Sequence, residues 1–129
     1  MNAILSIKPI YANAILQGVK TVEFRKKIFK KEQVKKVYIY SSAPVMKIVG
    51  YFTIEDIIKC EPNELWKSFG KEGGEDFSEQ NLLNYFEGKE YGYAIKINSV
   101  TSFKSPKDPK QLIKNFVAPQ NYRYTEVNL

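Results

Sequence analysis

The chain of 129 residues contains no histidine and one cysteine, Cys60. Without histidine there is no serine–histidine or cysteine–histidine catalytic pair and no histidine metal ligand. Any proton transfer therefore uses Lys, Glu, Asp, Tyr or water. A single cysteine also excludes an intrachain disulfide and a cysteine-based zinc site. We expect no metal and no cofactor.

Long apolar stretches are missing as well. No apolar run approaches the roughly 20 residues of a membrane-spanning helix, and the first residues, MNAILSIKP, lack the apolar core of a signal peptide. We therefore expect a cytoplasmic protein without membrane partners. Apolar residues still make up 43% of the chain, which is enough for a core, and the length fits one domain over residues 1–129. The sequence does not indicate an oligomeric state.

Acidic residues are scarce in the first part of the chain. Residues 1–54 carry 10 Lys or Arg against 2 Asp or Glu, whereas residues 55–90 carry 4 against 10. The basic excess is concentrated in residues 20–36. Such a segment attracts polyanions such as RNA, although lysine runs also occur as ordinary solvated surface.

Residue patterns predict an α+β domain. Apolar and β-branched residues predict strands over Ala3–Ile7, Lys20–Ile28, Val34–Tyr40, Val45–Ile58 and Tyr91–Ser99. Helical spacing predicts helices over Ile10–Gln17, Asn63–Phe69 and Lys110–Phe116, and a further helix that Asp76 or Ser78 caps and that runs to about Glu87. Consecutive strands follow one another too closely for crossover helices, which disfavours a parallel α/β sheet. The pattern favours a small β-barrel of about five to six strands with helical insertions.

Four charged residues near the first helix form a candidate site. Lys8 leaves the first strand just before this helix, and Lys20 opens the next strand after Gly18, so both lysines can flank one site. Glu23 and Arg25 project to the same face of that strand, which alternation predicts to be half-buried. The group suits a phosphate or a nucleobase. The alternative is a surface ion pair of little energetic value.

Residues 5–25, LSIKPIYANAILQGVKTVEFR, resemble the signature of ASCH domains: a strand ending in lysine, a short helix, and G-x-K-x-x-E-x-R. The later segments KIVGYFTI and APQNYRYTE also resemble this family. The resemblance implies a PUA-like barrel and a role in RNA metabolism, translation-linked regulation or nucleotide recognition. Some ASCH members are amidohydrolases acting on acetylated cytidine, and others are ribonucleases.

The resemblance leaves two functions open. The first is an RNA- or nucleotide-binding domain with a basic cleft. The second is a metal-independent hydrolase, either a ribonuclease or an acetylcytidine-type amidohydrolase, in which Lys20 and Glu23 are catalytic. In the amidohydrolase branch a threonine nucleophile stands two positions before the arginine, where this chain has Glu23. Thr21 shares the predicted face of Glu23 and remains a candidate.

Other residues extend the candidate site. Ser41 and Ser42 either line the cleft as hydroxyl donors or simply end a strand. Tyr122 and Arg123 lie in a predicted extended tail, where aromatic and guanidinium groups can stack on bases. The acidic middle, residues 61–88, gives a third alternative, a surface that docks a basic partner. The sequence does not indicate whether this segment covers the cleft.

Overall fold

The computed structural model describes all 129 residues, and its strands form one mixed sheet that curls into a half-barrel. The strands are β1 (Asn2–Ile7), β2 (Val22–Arg25), β3 (Val37–Ser41), β4 (Lys47–Cys60), β5 (Gly92–Lys107) and β6 (Tyr122–Thr125). The helices are α1 (Pro9–Leu16), α2 (Pro62–Phe69), α3 (Glu79–Tyr85) and α4 (Pro109–Leu112). None of these helices is both long and apolar enough to cross a bilayer. The predicted α+β class is confirmed.

The strand order in the sheet is β2-β5-β4-β3-β1-β6. Only β1 and β3 run parallel, with Ala3 opposite Val37, and all other neighbouring pairs are antiparallel. This arrangement agrees with the expectation against a parallel α/β sheet. The chain passes through α1 and β2 between the two parallel strands, so β2 lies at the edge of the sheet farthest from β6.

Helix α1 packs on the sheet and buries the largest core cluster. Pro9 occupies its first turn, where a fixed φ and a missing N–H are tolerated, and Gly18 follows its end with φ +78°. Ala12 and Ile15 are completely buried against the β1 and β3 side chains. The chain leaves β1 at Lys8, forms α1 and returns to the sheet through Lys20, just before β2. Lys20 is thereby close to the beginning of α1.

The edge strand β2 is covered by a helical insert, residues 62–88, which contains α2 and α3. Val22 and Phe24 pack with Leu65, Leu82 and Phe86 of this insert in a second core cluster. All four residues of β2 are buried, so the prediction of a half-buried strand over 20–28 is wrong. Alternation gave the two faces correctly. The insert packs on the apolar face, and the end of β1 and the C-terminal segment supply partners to Arg25 on the polar face.

The long strands β4 and β5 are antiparallel neighbours, and the helical insert is the connection between them. Their pairing continues from Cys60 opposite Gly92 to Ile48 opposite Lys107, so β5 extends beyond the predicted Tyr91–Ser99. Strand β2 pairs with β5 only over residues 93–96. The outer edge of β5 therefore has no strand neighbour from residue 98 to residue 107.

The C-terminal part differs from the sequence prediction. Residues 122–125 were expected in an extended tail, but they form β6 and pair antiparallel with β1, with Tyr122 opposite Leu5. The predicted helix Lys110–Phe116 is limited to Pro109–Leu112. Pairing with an exposed edge of β1 supplies the tail with backbone hydrogen bonds that its own sequence does not show.

Substitution of Gly50 by alanine should destabilise the fold. A Cβ at this position, where the pairing of β4 shifts register, would collide with the Thr101 carbonyl oxygen and lie 2.9 Å from Leu16 Cδ2. We expect a loss of about 1–3 kcal/mol in the free energy of unfolding, measured by urea denaturation. Ser102→Ala, at the exposed register partner of Gly50, is the control and should unfold like wild type. An unchanged midpoint for Gly50→Ala would contradict the close approach.

Candidate functional site

An open cleft of about 480 Å³ lies between the ends of β1 and β2, the helical insert and the C-terminal segment. Lys20, Glu23 and Arg25 form its floor and Lys8 lies at its rim, with Lys8 exposed and the floor residues buried. The volume is within the range of small-molecule sites. The cleft is the candidate functional site.

Glu23 is the centre of a buried ion cluster in the floor. Its Oε1 lies 3.5 Å from Lys20 Nζ, and its Oε2 lies 3.2 Å from Arg25 Nη1. Exposure is 2% for Lys20, 6% for Glu23 and 8% for Arg25. Two cations therefore share one carboxylate, and the floor carries an excess of positive charge that a bound anion can balance.

Arg25 joins three segments of the chain. Besides Glu23, its Nη1 donates to the Ser6 carbonyl at 3.2 Å, and its Nη2 donates to the Asn121 carbonyl at 2.9 Å. Ser6 in turn donates from Oγ to the Pro119 carbonyl at 2.7 Å. The guanidinium thus ties the C-terminal segment to the end of β1. These hydrogen bonds leave the planar group held in one orientation.

Lys20 is held among aromatic rings and tied to the insert. Its Nζ donates to the Gly73 carbonyl at 2.9 Å and lies 4.9 Å from the Phe77 ring centroid, 5.3 Å from that of Tyr11 and 5.5 Å from that of Phe24. Burial lowers the pKa of the Lys20 ammonium, Glu23 opposes this shift, and Arg25 adds to it. The ring faces and Glu23 together stabilise a charge that has little access to water.

The walls of the cleft carry aromatic rings and side-chain amides. Tyr11, Phe77 and Tyr85 provide the rings, and Asn81, Asn84 and Gln120 provide the amides. Burial is the main cause that raises the pKa of both tyrosine hydroxyls above the ordinary value of 10.0. The hydroxyls therefore keep their protons at neutral pH and can donate hydrogen bonds. No group of three or more Cys, Asp or Glu side chains lies together as a metal site would require.

The structure brings together four of the residues singled out in the sequence: Lys8, Lys20, Glu23 and Arg25 all line the cleft. The alternative of a surface Glu23–Arg25 pair is wrong, because both side chains are buried. Thr21 does not line the cleft. It is exposed, and its main chain bonds with Glu72 and Ile97 in the insert and β5.

The other candidate residues lie outside the cleft lining. Ser41 is buried at the end of β3, opposite Lys47, and the Ser42 N–H donates to the Ile7 carbonyl. Tyr122 packs edge-on against Phe29 in the main core cluster, and the guanidinium carbon of Arg123 lies 5.6 Å from the Phe116 ring centroid. The expectation that the tail leaves these side chains free of the core is wrong.

Sequence reasoning missed the contribution of the insert to the cleft. Asn81, Asn84 and Tyr85 lie at positions i, i+3 and i+4 of α3, on one face, while Leu82 and Phe86 point to the core. A polar and aromatic face of this kind opposite an apolar one was visible in the sequence. The sequence did not show that the insert packs against β2, so the acidic segment could not be placed beside the cleft.

The family model for the ASCH domain matches residues 5–101. The chain belongs to the ASCH domain family. An ASCH domain-containing ribonuclease of Zymomonas mobilis is 33% identical over 121 residues, which cover 92% of this chain and 80% of the relative. A stretch of the ATP synthase subunit alpha of Ureaplasma parvum is 30% identical over 81% of this chain but only 13% of that subunit.

Solved structures confirm the fold expected from the ASCH resemblance. The crystal structure of ASCH from Zymomonas mobilis is 31% identical, with a TM-score of 0.87 over 97% of this chain and 87% of that one. A variant of the same protein gives a TM-score of 0.89 over 97% of this chain and 88% of that one, at 32% identity. The PUA-like architecture is thus shared by both ASCH chains.

Glu23→Gln should destabilise the fold strongly, because it leaves Lys20 and Arg25 buried without a counter-charge. We expect a loss of about 3–5 kcal/mol in the free energy of unfolding. The matched control is Glu64→Gln, which breaks the exposed Glu64–Lys67 pair at the same 3.5 Å separation and should cost less than about 0.5 kcal/mol. Equal losses for the two variants in urea denaturation would contradict the role given to burial.

The stability of the Glu23→Gln variant should rise with pH. The folded-state pKa of Lys20 is lowered, so between that value and the ordinary 10.5 the unfolded chain binds more protons. Stability therefore increases with pH across this window. Because Glu23 raises the pKa of Lys20, its removal lowers that pKa further and widens the pH range over which stability increases. The difference in free energy of unfolding between wild type and the variant should therefore shrink as pH rises. Urea midpoints measured from pH 7 upward test this, and a constant deficit would contradict it.

Proposed function

We propose that this chain binds single-stranded RNA in the cleft and cleaves it. The observation that carries the proposal is the charge of the cleft: Lys8, Lys20 and Arg25 surround one carboxylate, Glu23, at a concave and partly desolvated site. Such a site attracts a phosphate diester, and the burial of Lys20 and Arg25 strengthens the attraction.

The size and lining of the cleft favour one nucleotide of a single strand. About 480 Å³ accommodates a base and its phosphate, but it is too small to enclose a base pair with both backbones of a duplex. An unpaired base can be splayed out and stacked on an aromatic ring. Tyr11, Phe77 and Tyr85 are such rings within reach of the cations.

The residues of the floor can perform the cleavage. The ribose 2′-hydroxyl attacks the adjacent phosphorus, a 2′-oxygen–phosphorus bond forms, and the bond to the 5′-oxygen breaks. Glu23 accepts the hydroxyl proton, and a proton from Tyr11 or water reaches the leaving oxygen. The Lys20 ammonium and Arg25 stabilise the extra negative charge on the phosphate. The products are a 2′,3′-cyclic phosphate and a 5′-hydroxyl end.

The comparison with Zymomonas mobilis supports RNA as the substrate class. That relative is named as a ribonuclease, and the alignment covers 92% of this chain. The amidohydrolase alternative has no comparable support, because Thr21 is exposed outside the cleft and Glu23 occupies the position of the nucleophile in that branch.

A second candidate is an RNA-binding domain without turnover. The observation in its favour is that Lys20, Glu23 and Arg25 already engage one another and the main chain of Gly73, Ser6 and Asn121. Groups committed to structural contacts bind a phosphate without reacting with it. The two candidates differ in whether product appears.

RNA affinity should depend on Lys8 and on salt. Lys8 is exposed at the rim, so Lys8→Ala removes a phosphate contact without disturbing the floor. In fluorescence anisotropy with a short single-stranded RNA, we expect weaker binding and a slope of log affinity against log salt that is smaller by roughly one unit. Lys104→Ala, an exposed lysine on β5, is the control. No binding by wild type would overturn the proposal.

Cleavage should depend on the Lys20 charge. Lys20→Met keeps an unbranched apolar chain among the rings and removes the ammonium together with its bond to Gly73. Circular dichroism checks that the variant is folded under the assay conditions. We expect the cleavage rate to fall about 100-fold or more. In wild type the rate should decline as pH rises through the lowered Lys20 pKa, since deprotonation removes the stabilising charge. Product formation unaffected by Lys20→Met would contradict this role, and absence of product with retained binding would favour the second candidate.

A further inference from the structure

Helix α3 places two side-chain amides in the wall of the cleft, one helical turn apart. Asn81 and Asn84 both line the cleft and are exposed to it. Positions i and i+3 of a helix share a face, with Cβ atoms about 5–6 Å apart. The pair therefore presents two similar groups side by side to a ligand.

The oxygen atoms of these amides are already used. Asn81 Oδ1 accepts from the Ser78 N–H and the Ser78 hydroxyl, each at 2.9 Å, and Asn84 Oδ1 accepts from Gln80 Nε2 at 2.8 Å. A main-chain N–H can only donate, which fixes the Asn81 amide with its nitrogen outward. Asn81 Nδ2 is therefore left for a ligand, and with the Gln80–Asn84 hydrogen bond in this direction Asn84 Nδ2 is left as well.

The donor at Asn81 is not required by the helix. A capping box needs only an acceptor at this position, and an acidic or amide oxygen supplies it equally well. Aspartate would satisfy the same cap, but it would offer the cleft an acceptor instead of a donor. The amide nitrogen is therefore the feature of Asn81 that faces the ligand rather than the fold.

We propose that Asn81 and Asn84 select the base bound in the cleft and favour uracil over cytosine. Uracil carries two carbonyl oxygens on its pairing edge, one on each side of N3, and both accept hydrogen bonds. Cytosine keeps O2 and has an acceptor at N3, but it carries an amino group where uracil has O4. A pair of donors that spans the O2 and O4 positions would therefore meet a donor in cytosine. This inference rests on the proposed function, since it names the nucleotide that the RNA site takes.

The nearby rings fit the same role. Phe77 and Tyr85 line the same cleft as Asn81 and Asn84, and Tyr85 follows Asn84 directly in the chain. A base stacked on one of these rings presents its edge to the wall, where the two donors lie. The cations of the floor then face the phosphate on the other side of the nucleotide.

The experiment compares uridine and cytidine 5′-monophosphate by calorimetric titration, alongside uracil and cytosine homopolymers in the cleavage assay. We expect wild type to bind the uridine nucleotide about tenfold more tightly. Asn81→Asp keeps the helix cap and Asn84→Asp keeps the acceptor for Gln80, and each should reduce or invert this ratio. Asn63→Asp adds the same charge at an exposed site of α2 and should leave the ratio unchanged.

The readout is the ratio of the affinities for the uridine and cytidine nucleotides. An added aspartate weakens the binding of both nucleotides through its charge, so only the ratio reports on the base. Equal or undetectable affinity of wild type for the two nucleotides overturns the inference, even where RNA is cleaved. An unchanged ratio in both aspartate variants overturns it as well. A uridine preference without binding or cleavage of either homopolymer overturns the proposed function and leaves the base selection standing.

Discussion

The pairing of one buried carboxylate with two buried cations holds the site together. Glu23 in β2 lies between Lys20 and Arg25. Lys20 donates to the Gly73 carbonyl of the insert, and Arg25 donates to the carbonyls of Ser6 and Asn121. Insert, edge strand and C-terminal segment are thereby joined at one point. Charges removed from water in this way are tolerated only when each has its partners, and here every buried polar side-chain atom has one.

The same cluster links the fold to the chemistry. In the proposed function, the phosphate of the RNA balances the excess of cation over carboxylate in the floor. The aromatic rings around Lys20 serve both purposes, since they exclude water from the ammonium and offer flat surfaces to a base. If the proposal holds, stability and RNA affinity depend on the same few contacts, and a substitution in the floor changes both.

Local sequence predicted most strands because β-branched and aromatic residues mark them, and Pro9 and Gly18 mark the limits of α1. The ASCH resemblance further predicted Lys20, Glu23 and Arg25 as candidate site residues, and the structure brings them together. Burial of this charged trio was not predicted, since strand alternation says which face a side chain takes but not what covers that face. The insert covers Lys20 through Gly73 and Phe77. Ser6 and Asn121, which are distant from β2 in the sequence, cover Arg25.

The open edge of β5 has a consequence for the behaviour of the protein at high concentration. A strand edge without a neighbour invites another strand to add to it, which is the first step of ordered aggregation. From residue 98 to residue 107 this edge carries Lys104, Pro106 and Lys107. The proline lacks an N–H for an added strand, and like charges on a second copy repel. The protein thus has a built-in barrier against fibril-like growth at the one side of β5 that the short β2 leaves uncovered.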